Sequence, residues 1–249
     1  VHRMLLVTAC LAEALVTHVD DVLSTHGLPL ANSHNATIAM DSAESSTFLS
    51  LLLRPSTRTY LEWGSGGSTE LVSHLILSGV LPQHFRAFSI ESSTTWIALM
   101  RERSHLIRKA EATKRLVFVH GSMGPTGHLG YPKNFVPDNG ERAYGYVGLS
   151  NKIGQRKLDL VLVDGRFRLA CALEAYKHLR EGSEALVMLH DYKVMPPGFT
   201  QKRFDTYSKA RRFYHLVQRN ESLAVFSPRK TVASADLDSL LQRALLLPD

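Results

Sequence analysis

The fold is decided at residues 60–69, which read YLEWGSGGST. A strand-like apolar run ends in a glycine-rich turn, and Ser68 and Thr69 then open a segment with the apolar spacing of a helix. Glycines let the backbone approach a ligand closely, and the free N–H groups at a helix start attract a carboxylate or a phosphate. The turn is therefore a candidate ligand site, with a purely architectural turn as the alternative.

Strands and helices alternate outward from this turn. We predict strands at residues 59–63, 86–90, 116–120, 158–164, 185–189, 213–217 and 223–227, and helices at residues 41–53, 68–79, 94–108, 169–180 and 235–246. The alternation predicts one doubly wound α/β domain with a mostly parallel seven-stranded sheet and helices on both faces. Such sheets bind ligands outside the carboxyl ends of their strands, so the residues that follow each strand are the site candidates.

The domain is predicted to cover residues 40–249, behind a helical leader at residues 1–39. Residues 4–16 are apolar but too short for a membrane span, so no membrane span is predicted. A cleaved targeting signal or a lost anchor remains open for that segment, and the compartment is cytoplasmic by default. Residues 121–154 hold eight glycines and are predicted to be an irregular insert, in which His128 is a further titratable candidate.

The composition is that of a globular protein. The 249 residues are 44% apolar and 21% charged, which excludes disordered, collagen-like and coiled-coil classes. Cys10 and Cys171 lie too far apart in sequence to indicate a disulfide scaffold or a zinc cluster. The net charge of +6 is concentrated at residues 201–230, where eight Lys and Arg face two acids. We predict a solvated face there, and a surface for RNA or another polyanion is the alternative.

Chemically useful side chains follow the other strands. Glu91 ends the second strand and precedes Ser92, at a place where a carboxylate can accept both hydroxyls of a ribose. Gly121 and Ser122 follow the third strand, Asp164 the fourth, and the pair His190-Asp191 the fifth. Because parallel strands end at one edge of the sheet, these groups are expected to face one ligand.

The spacing Glu62-x-Gly64-x-Gly66 resembles motif I of the class I S-adenosylmethionine (SAM)-dependent methyltransferases. A dinucleotide fingerprint would instead require glycine at position 69, where Thr69 stands. The resemblance covers roughly residues 40–230 and implies a Rossmann-like fold and SAM as the cofactor. It implies cofactor contacts for Glu62, Gly64, Ser65, Gly66, Gly67, Ser68, Thr69, Glu91, Ser92, Gly121, Ser122 and Asp164, among which Glu91 would hold the ribose.

The acceptor side of the site has two interpretations. Asp164 matches the acid of motif IV, and in catechol-type O-methyltransferases that acid and a later Asp-Asn pair hold Mg²⁺. His190-Asp191 stands here instead of Asp-Asn, and imidazole is a poor Mg²⁺ ligand. We therefore predict Asp164, His190 and Asp191 as catalytic residues with no metal ligand assigned, and with His190 as a general base. A divalent metal is the alternative that we do not favour, and a structural histidine at the rim of the sheet is the alternative role for His190.

The sequence as a whole predicts a SAM-dependent methyltransferase that acts on a small or medium-sized acceptor, at oxygen. None of the motifs identifies the acceptor or the oligomeric state. One alternative is a noncatalytic module of the same fold that binds RNA or a polyanion through residues 201–230. A nicotinamide-dependent oxidoreductase is disfavoured by Glu62 and Thr69.

Overall fold

A single seven-stranded sheet organises the structure, which is a computed structural model. It describes residues 39–133, 135, 140–154, 156–182, 184–192 and 206–248. The strands are β1 (Thr59–Trp63), β2 (Arg86–Glu91), β3 (Leu116–His120), β4 (Leu160–Val163), β5 (Leu186–Leu189), β6 (Tyr214–Asn220) and β7 (Leu223–Pro228). Their spatial order is β3-β2-β1-β4-β5-β7-β6, and β7 alone runs opposite to the other six strands. The predicted seven-stranded, mostly parallel sheet is confirmed.

Helices pack on both faces of the sheet. They are α1 (Ser42–Leu52), α2 (Gly67–Leu77), α3 (Thr94–Arg103), α4 (His105–Ala112), α5 (Glu141–Val147), α6 (Ser150–Ile153), α7 (Arg168–His178) and α8 (Ser234–Ala244). In β4, Leu160 and Leu162 belong to one apolar cluster, whereas Val161 and Val163 belong to the other. This alternation places a hydrophobic layer on each face, as a doubly wound sheet requires.

Two predicted segments differ from the structure. The helix predicted at residues 94–108 is broken at Ser104, whose extended backbone ends α3 and whose hydroxyl accepts the N–H of Ile107 to begin α4. The same hydroxyl donates to Glu70 on α2 at 2.6 Å. The break is therefore stabilised by a contact with another helix, which apolar periodicity does not reveal.

The insert predicted to be irregular contains helices. The helix α5 buries Tyr146 and Val147 in the core, and α6 follows it directly. Trp63 at the end of β1 donates its indole N–H to the Tyr146 carbonyl at 3.3 Å. Tertiary packing therefore orders a segment that its glycines mark as loop.

The amino-terminal end of the described chain lies against the sheet. A capping box begins α1, because Asp41 accepts the Glu44 N–H at 2.8 Å while Glu44 accepts the Asp41 N–H at 3.1 Å. The predicted leader lies outside the described residues except for Ala39, so the boundary at residue 40 stays a prediction. Across the described ranges, no helix is both long and apolar enough to cross a membrane.

Candidate active site

A cleft of about 1010 Å³ opens at the carboxyl ends of the parallel strands. The chain reverses its strand order between β1 and β4, and this switch point leaves space above the two strand ends. Ten of the predicted site residues line the cleft, namely Gly64, Ser65, Gly66, Gly67, Ser68, Glu91, Ser92, Asp164, His190 and Asp191. Their roles stay predictions, but the structure brings them together.

The glycine turn joins β1 to α2 and forms one wall of the cleft. Gly64 has a φ of +94°, and a Cβ there would lie 2.9 Å from the backbone carbon and oxygen of Asp164. The position therefore requires glycine, so that β1 and β4 can end side by side. Gly66 has extended backbone, and a Cβ there would meet no atom within 4 Å. The space beside Gly66 belongs to the cleft.

Glu62 lies beneath this turn and outside the cleft lining. Its carboxylate is 1% exposed and accepts hydroxyl hydrogen bonds from Tyr60 at 2.9 Å, Ser68 at 2.7 Å, Ser89 at 2.7 Å, and Thr69. Burial raises the pKa of Glu62, and the four hydroxyls oppose that effect. Glu62 and Thr69 thus fasten the turn to β1 and β2 from below, and a direct cofactor contact for them stays a prediction.

Glu91 presents one carboxylate oxygen to the cleft. Its Oε1 accepts the N–H groups of Ser92 at 2.7 Å and Ser93 at 2.9 Å, together with the Ser92 hydroxyl at 3.1 Å. Its Oε2 accepts a longer hydrogen bond, 3.3 Å, from the Ser65 N–H. The carboxylate is therefore oriented by one oxygen and keeps acceptor capacity at the other.

Trp96 is a cleft residue that the sequence analysis missed. Its side chain is 37% exposed, and its indole N–H donates to the Ser65 carbonyl at 3.0 Å. The sequence does place an aromatic residue on the first turn of the helix after β2, at the edge where ligands bind. Apolar periodicity alone did not mark this residue as part of a site. The hydrogen bond fixes the ring beside the glycine turn and Glu91.

Charged side chains cluster around the ends of β4 and β5, where they border the cleft. His190 Nδ1 donates to Asp164 Oδ1 at 2.9 Å, and His190 Nε2 lies 3.4 Å from Glu44 Oε2. Arg168 bridges two carboxylates, with Nη1 2.6 Å from Asp191 Oδ2 and Nη2 3.3 Å from Asp164 Oδ1. His190 and Arg168 therefore alternate with three carboxylates.

The environment of His190 favours its charged form. Burial by itself would lower the pKa of His190, which is 7% exposed. The hydrogen bond and charge of Asp164, with the charges of Asp191 and Glu44, outweigh burial and raise that pKa above its usual value. The general-base role of His190 stays a prediction.

The global geometry matches known structures, although the sequence matches no protein-family model and no curated protein sequence. A crystal structure of a methyltransferase-like protein from Silicibacter pomeroyi superposes with a TM-score of 0.64 and 22% identity, over 87% of this chain and all of that one. An O-methyltransferase from Bacillus cereus, crystallised with S-adenosylhomocysteine (SAH), superposes with a TM-score of 0.50 and 14% identity, over 86% of this chain and 90% of that one. The chain has the class I methyltransferase fold.

Besides Glu62 and Thr69, two further residues predicted to contact the cofactor, Gly121 and Ser122, lie outside the cleft lining. A Cβ at Gly121 would lie 3.0 Å from Ile90 Cγ2 and 3.1 Å from the Tyr146 Cα. Gly121 thus allows α5 to pack closely on β2. Ser122 is exposed beyond it. Cofactor contacts for Gly121 and Ser122 stay predictions.

The insert of this methyltransferase fold contributes a hairpin to the rim of the cleft. Gly127 donates its N–H to the Tyr131 carbonyl at 2.7 Å, and residues 126–130 line the opening. His128 stands at the exposed tip beside Leu129. The Arg166 guanidinium lies 4.2 Å from the centre of the Tyr131 ring, which ties the hairpin to the loop after β4.

The basic segment lies at the far edge of the sheet. The described part of residues 201–230 exposes Lys209, Arg211, Arg212, Arg219 and Lys230. The aromatic side chains between them, Phe213, Tyr214 and Phe226, are buried in the core. In the described part of this segment, the phenylalanine and tyrosine side chains therefore offer no exposed platform on which bases could stack.

Proposed function

We propose that this protein is a SAM-dependent methyltransferase that transfers a methyl group to a small or medium-sized acceptor, at oxygen. The observation that carries the proposal is the glycine turn at residues 64–67, which opens onto the cleft beside the oriented carboxylate of Glu91. The SAH bound to the Bacillus cereus O-methyltransferase supports the same cofactor class for this fold.

The residues present fit SAM on two counts. Gly66 leaves open space where any larger residue would project into the cleft. Glu91 Oε2 has acceptor capacity for ribose hydroxyls, while its Oε1 is held by Ser92 and Ser93. In this assignment the N–H groups at the start of α2 receive the carboxylate of the cofactor.

SAM supplies a methyl group on a positively charged sulfur. The chain therefore has to bind the cofactor and the acceptor, orient them toward each other, and take up the proton that the acceptor loses. Asp164 and Asp191 line the same cleft as the glycine turn, and the backbone of Asp164 packs directly against Gly64. In this proposal their carboxylates accept the hydrogen bond of the acceptor hydroxyl and orient its oxygen, and the carboxylate of Asp191 takes the hydroxyl proton as the methyl group is transferred. His190 acts through Asp164, which it holds by the 2.9 Å hydrogen bond.

Isothermal titration with SAM tests the proposal through Glu91→Gln. Because the Ser92 and Ser93 N–H groups surround Oε1, the amide oxygen of the variant is expected there, and the NH₂ group then takes the position of Oε2. Loss of a charged acceptor should weaken SAM binding by about 1.5–3 kcal/mol, or roughly 10- to 150-fold.

Glu102→Gln is the matched control, because it removes the same charge from an exposed side chain of α3 outside the cleft. Its SAM affinity should equal that of the wild type. A folded wild-type protein with no affinity for SAM would refute the proposal, and equal affinities of all three proteins would refute the role of Glu91.

The noncatalytic alternative has one observation in its favour, the exposed cations near the β6 edge. It predicts salt-dependent binding of RNA that Arg211→Ala with Arg212→Ala reduces. The buried aromatic residues of the segment favour a solvated face instead, so we expect no RNA binding at physiological salt. Tight binding that this double variant abolishes would establish the alternative.

A further inference from the structure

The acidic cluster of the cleft already contains a permanent cation. We propose that Arg168 takes the place of a divalent ion: its guanidinium holds Asp164 and Asp191 in position, and the acceptor site works without a metal. This inference rests on the proposed function, and Arg168 acts in it as a positioning residue.

By distance alone the cluster suits a metal ion. Asp164, His190 and Asp191 each offer one ligand atom, and these atoms lie within 4.8 Å of one another. Mg²⁺ prefers oxygen ligands in octahedral geometry, and two of the three groups are carboxylates. Whether the group fits an ion therefore depends on how its ligand atoms are already engaged.

The guanidinium engages both carboxylates. Arg168 is 5% exposed, and it donates to Asp191 Oδ2 at 2.6 Å and to Asp164 Oδ1 at 3.3 Å. It also donates to the backbone carbonyls of Gly165 at 3.0 Å and His190 at 2.8 Å. These four hydrogen bonds join the ends of β4 and β5 and fix the guanidinium in place.

An arginine cannot lose its charge in a protein, so this cation is present at every working pH. Displacing the guanidinium would strand a buried, unpaired charge, which is strongly destabilising. A divalent ion that used the same two carboxylate oxygens would instead lie next to the guanidinium and be repelled by it.

The histidine is engaged as well. A metal ligand uses the lone pair of a ring nitrogen, but His190 Nδ1 points at Asp164 Oδ1, 2.9 Å away, and Nε2 faces Glu44. Each nitrogen therefore meets a carboxylate rather than an open coordination position. The three groups do not fit a divalent ion while Arg168 is in place.

The guanidinium of Arg168 also holds the side chain of Asp191 at the cleft. Its backbone φ of 57° lies in the left-handed region, and its side chain is half-exposed at the cleft. The bond from Arg168 Nη1 holds the carboxylate there, so one oxygen is committed to the guanidinium while the group faces the acceptor space.

Electron paramagnetic resonance with Mn²⁺ alone tests the proposal on the protein without SAM. Free Mn²⁺ gives a six-line signal that is lost on binding. We expect wild-type protein to leave the signal at its buffer intensity. One equivalent of bound Mn²⁺ that disappears in Asp191→Asn would overturn the proposal.

Arg168→Gln removes the cation from the same cluster. If the circular dichroism of this variant shows the wild-type fold, it should bind Mn²⁺ and lose that binding again when Asp191→Asn is added. A folded Arg168→Gln protein without Mn²⁺ affinity would contradict the claim that the guanidinium excludes the ion.

If Arg168→Gln does not fold, the Mn²⁺ titrations of the wild type and of Asp191→Asn still test the proposal. Because neither readout uses SAM or turnover, their failure is distinguishable from failure of the proposed function, which the SAM titration reports.

Discussion

Gly64 and Gly66 belong to the same turn but have different structural roles. Gly64 lies in the left-handed region against the backbone of Asp164, whereas Gly66 has extended backbone and open space beside it. The sequence presents both as members of one motif and does not distinguish them. The distances to neighbouring atoms distinguish them: Gly64 is required by the close approach of the Asp164 backbone, whereas Gly66 borders the cleft.

This difference predicts opposite phenotypes. Gly66→Val should fold with nearly wild-type stability and lose SAM affinity, because its side chain would occupy the cleft. Gly64→Ala should lower the free energy of unfolding by about 1–3 kcal/mol, the cost of the strained backbone, with the clash against β4 added.

Urea denaturation and SAM titration of both variants check this pair. If Gly66→Val binds SAM normally, the turn is only architecture. If Gly64→Ala is as stable as the wild type, the close approach of β1 and β4 is not what requires glycine.

His190 links the acidic cluster to the stability of the fold. Its pKa is raised in the folded state, so folding holds a proton that the unfolded chain releases more readily. The contribution is fully present below the unfolded pKa, about 6.5, and is lost as the pH rises through the folded pKa. Each unit by which the pKa is raised corresponds to about 1.4 kcal/mol.

We therefore expect the difference in unfolding free energy between wild type and His190→Gln to shrink with rising pH above about 6.5. Urea denaturation across the neutral range measures it. A difference that grew with pH would show that the folded protein prefers neutral His190, and it would revive His190 as a base.

The sequence predicted which residues reach the cleft better than what each one does there. Glu91, Asp164 and Asp191 are placed by strand ends, which apolar patterning locates well. His190 contacts Glu44, and the Arg168 guanidinium contacts Asp191. Both contacts connect residues on different elements, so no local sequence pattern predicts them.

At the scale of elements, α1 is joined to the site by a single side chain. Glu44 closes the capping box, and its Oε1 accepts the Ser222 N–H at 2.7 Å and the Ser222 hydroxyl at 2.5 Å. Its Oε2 faces His190. The helix, the β6–β7 connection and the end of β5 thus meet at one buried carboxylate.

Removing the two members of the capping box should have unequal costs. Asp41→Ala removes one exposed cap and should cost about 1 kcal/mol. Glu44→Ala also strands buried partners at Ser222 and His190, and should cost about 3 kcal/mol or more. Equal unfolding free energies for the two variants would contradict the buried link.

Apolar patterning located every strand of the sheet within a few residues, and it was clearest for the central strands β4 and β5, which are buried throughout and form continuous apolar runs. It failed where tertiary contacts decide. Ser104 breaks a helix through a bond to Glu70, and α5 forms because Tyr146 and Val147 find the core.

At the scale of the molecule, the strand order places the glycine turn, Glu91 and the charged cluster around one opening. The β1–β4 switch point puts the cleft above the sheet, where the cofactor candidates and the acceptor candidates line it together. The alternation of strands and helices predicted this arrangement. The acceptor itself depends on the rim, where the hairpin at residues 126–130 carries no pattern that names a substrate.

A crystal structure of the protein soaked with SAH tests the central claim most directly. We expect the ribose hydroxyls within hydrogen-bond distance of Glu91 Oε2, the amino-acid carboxylate at the start of α2, and the sulfur facing Asp164 and Asp191. SAH bound elsewhere on the protein, or in the cleft with its ribose away from Glu91, would contradict it.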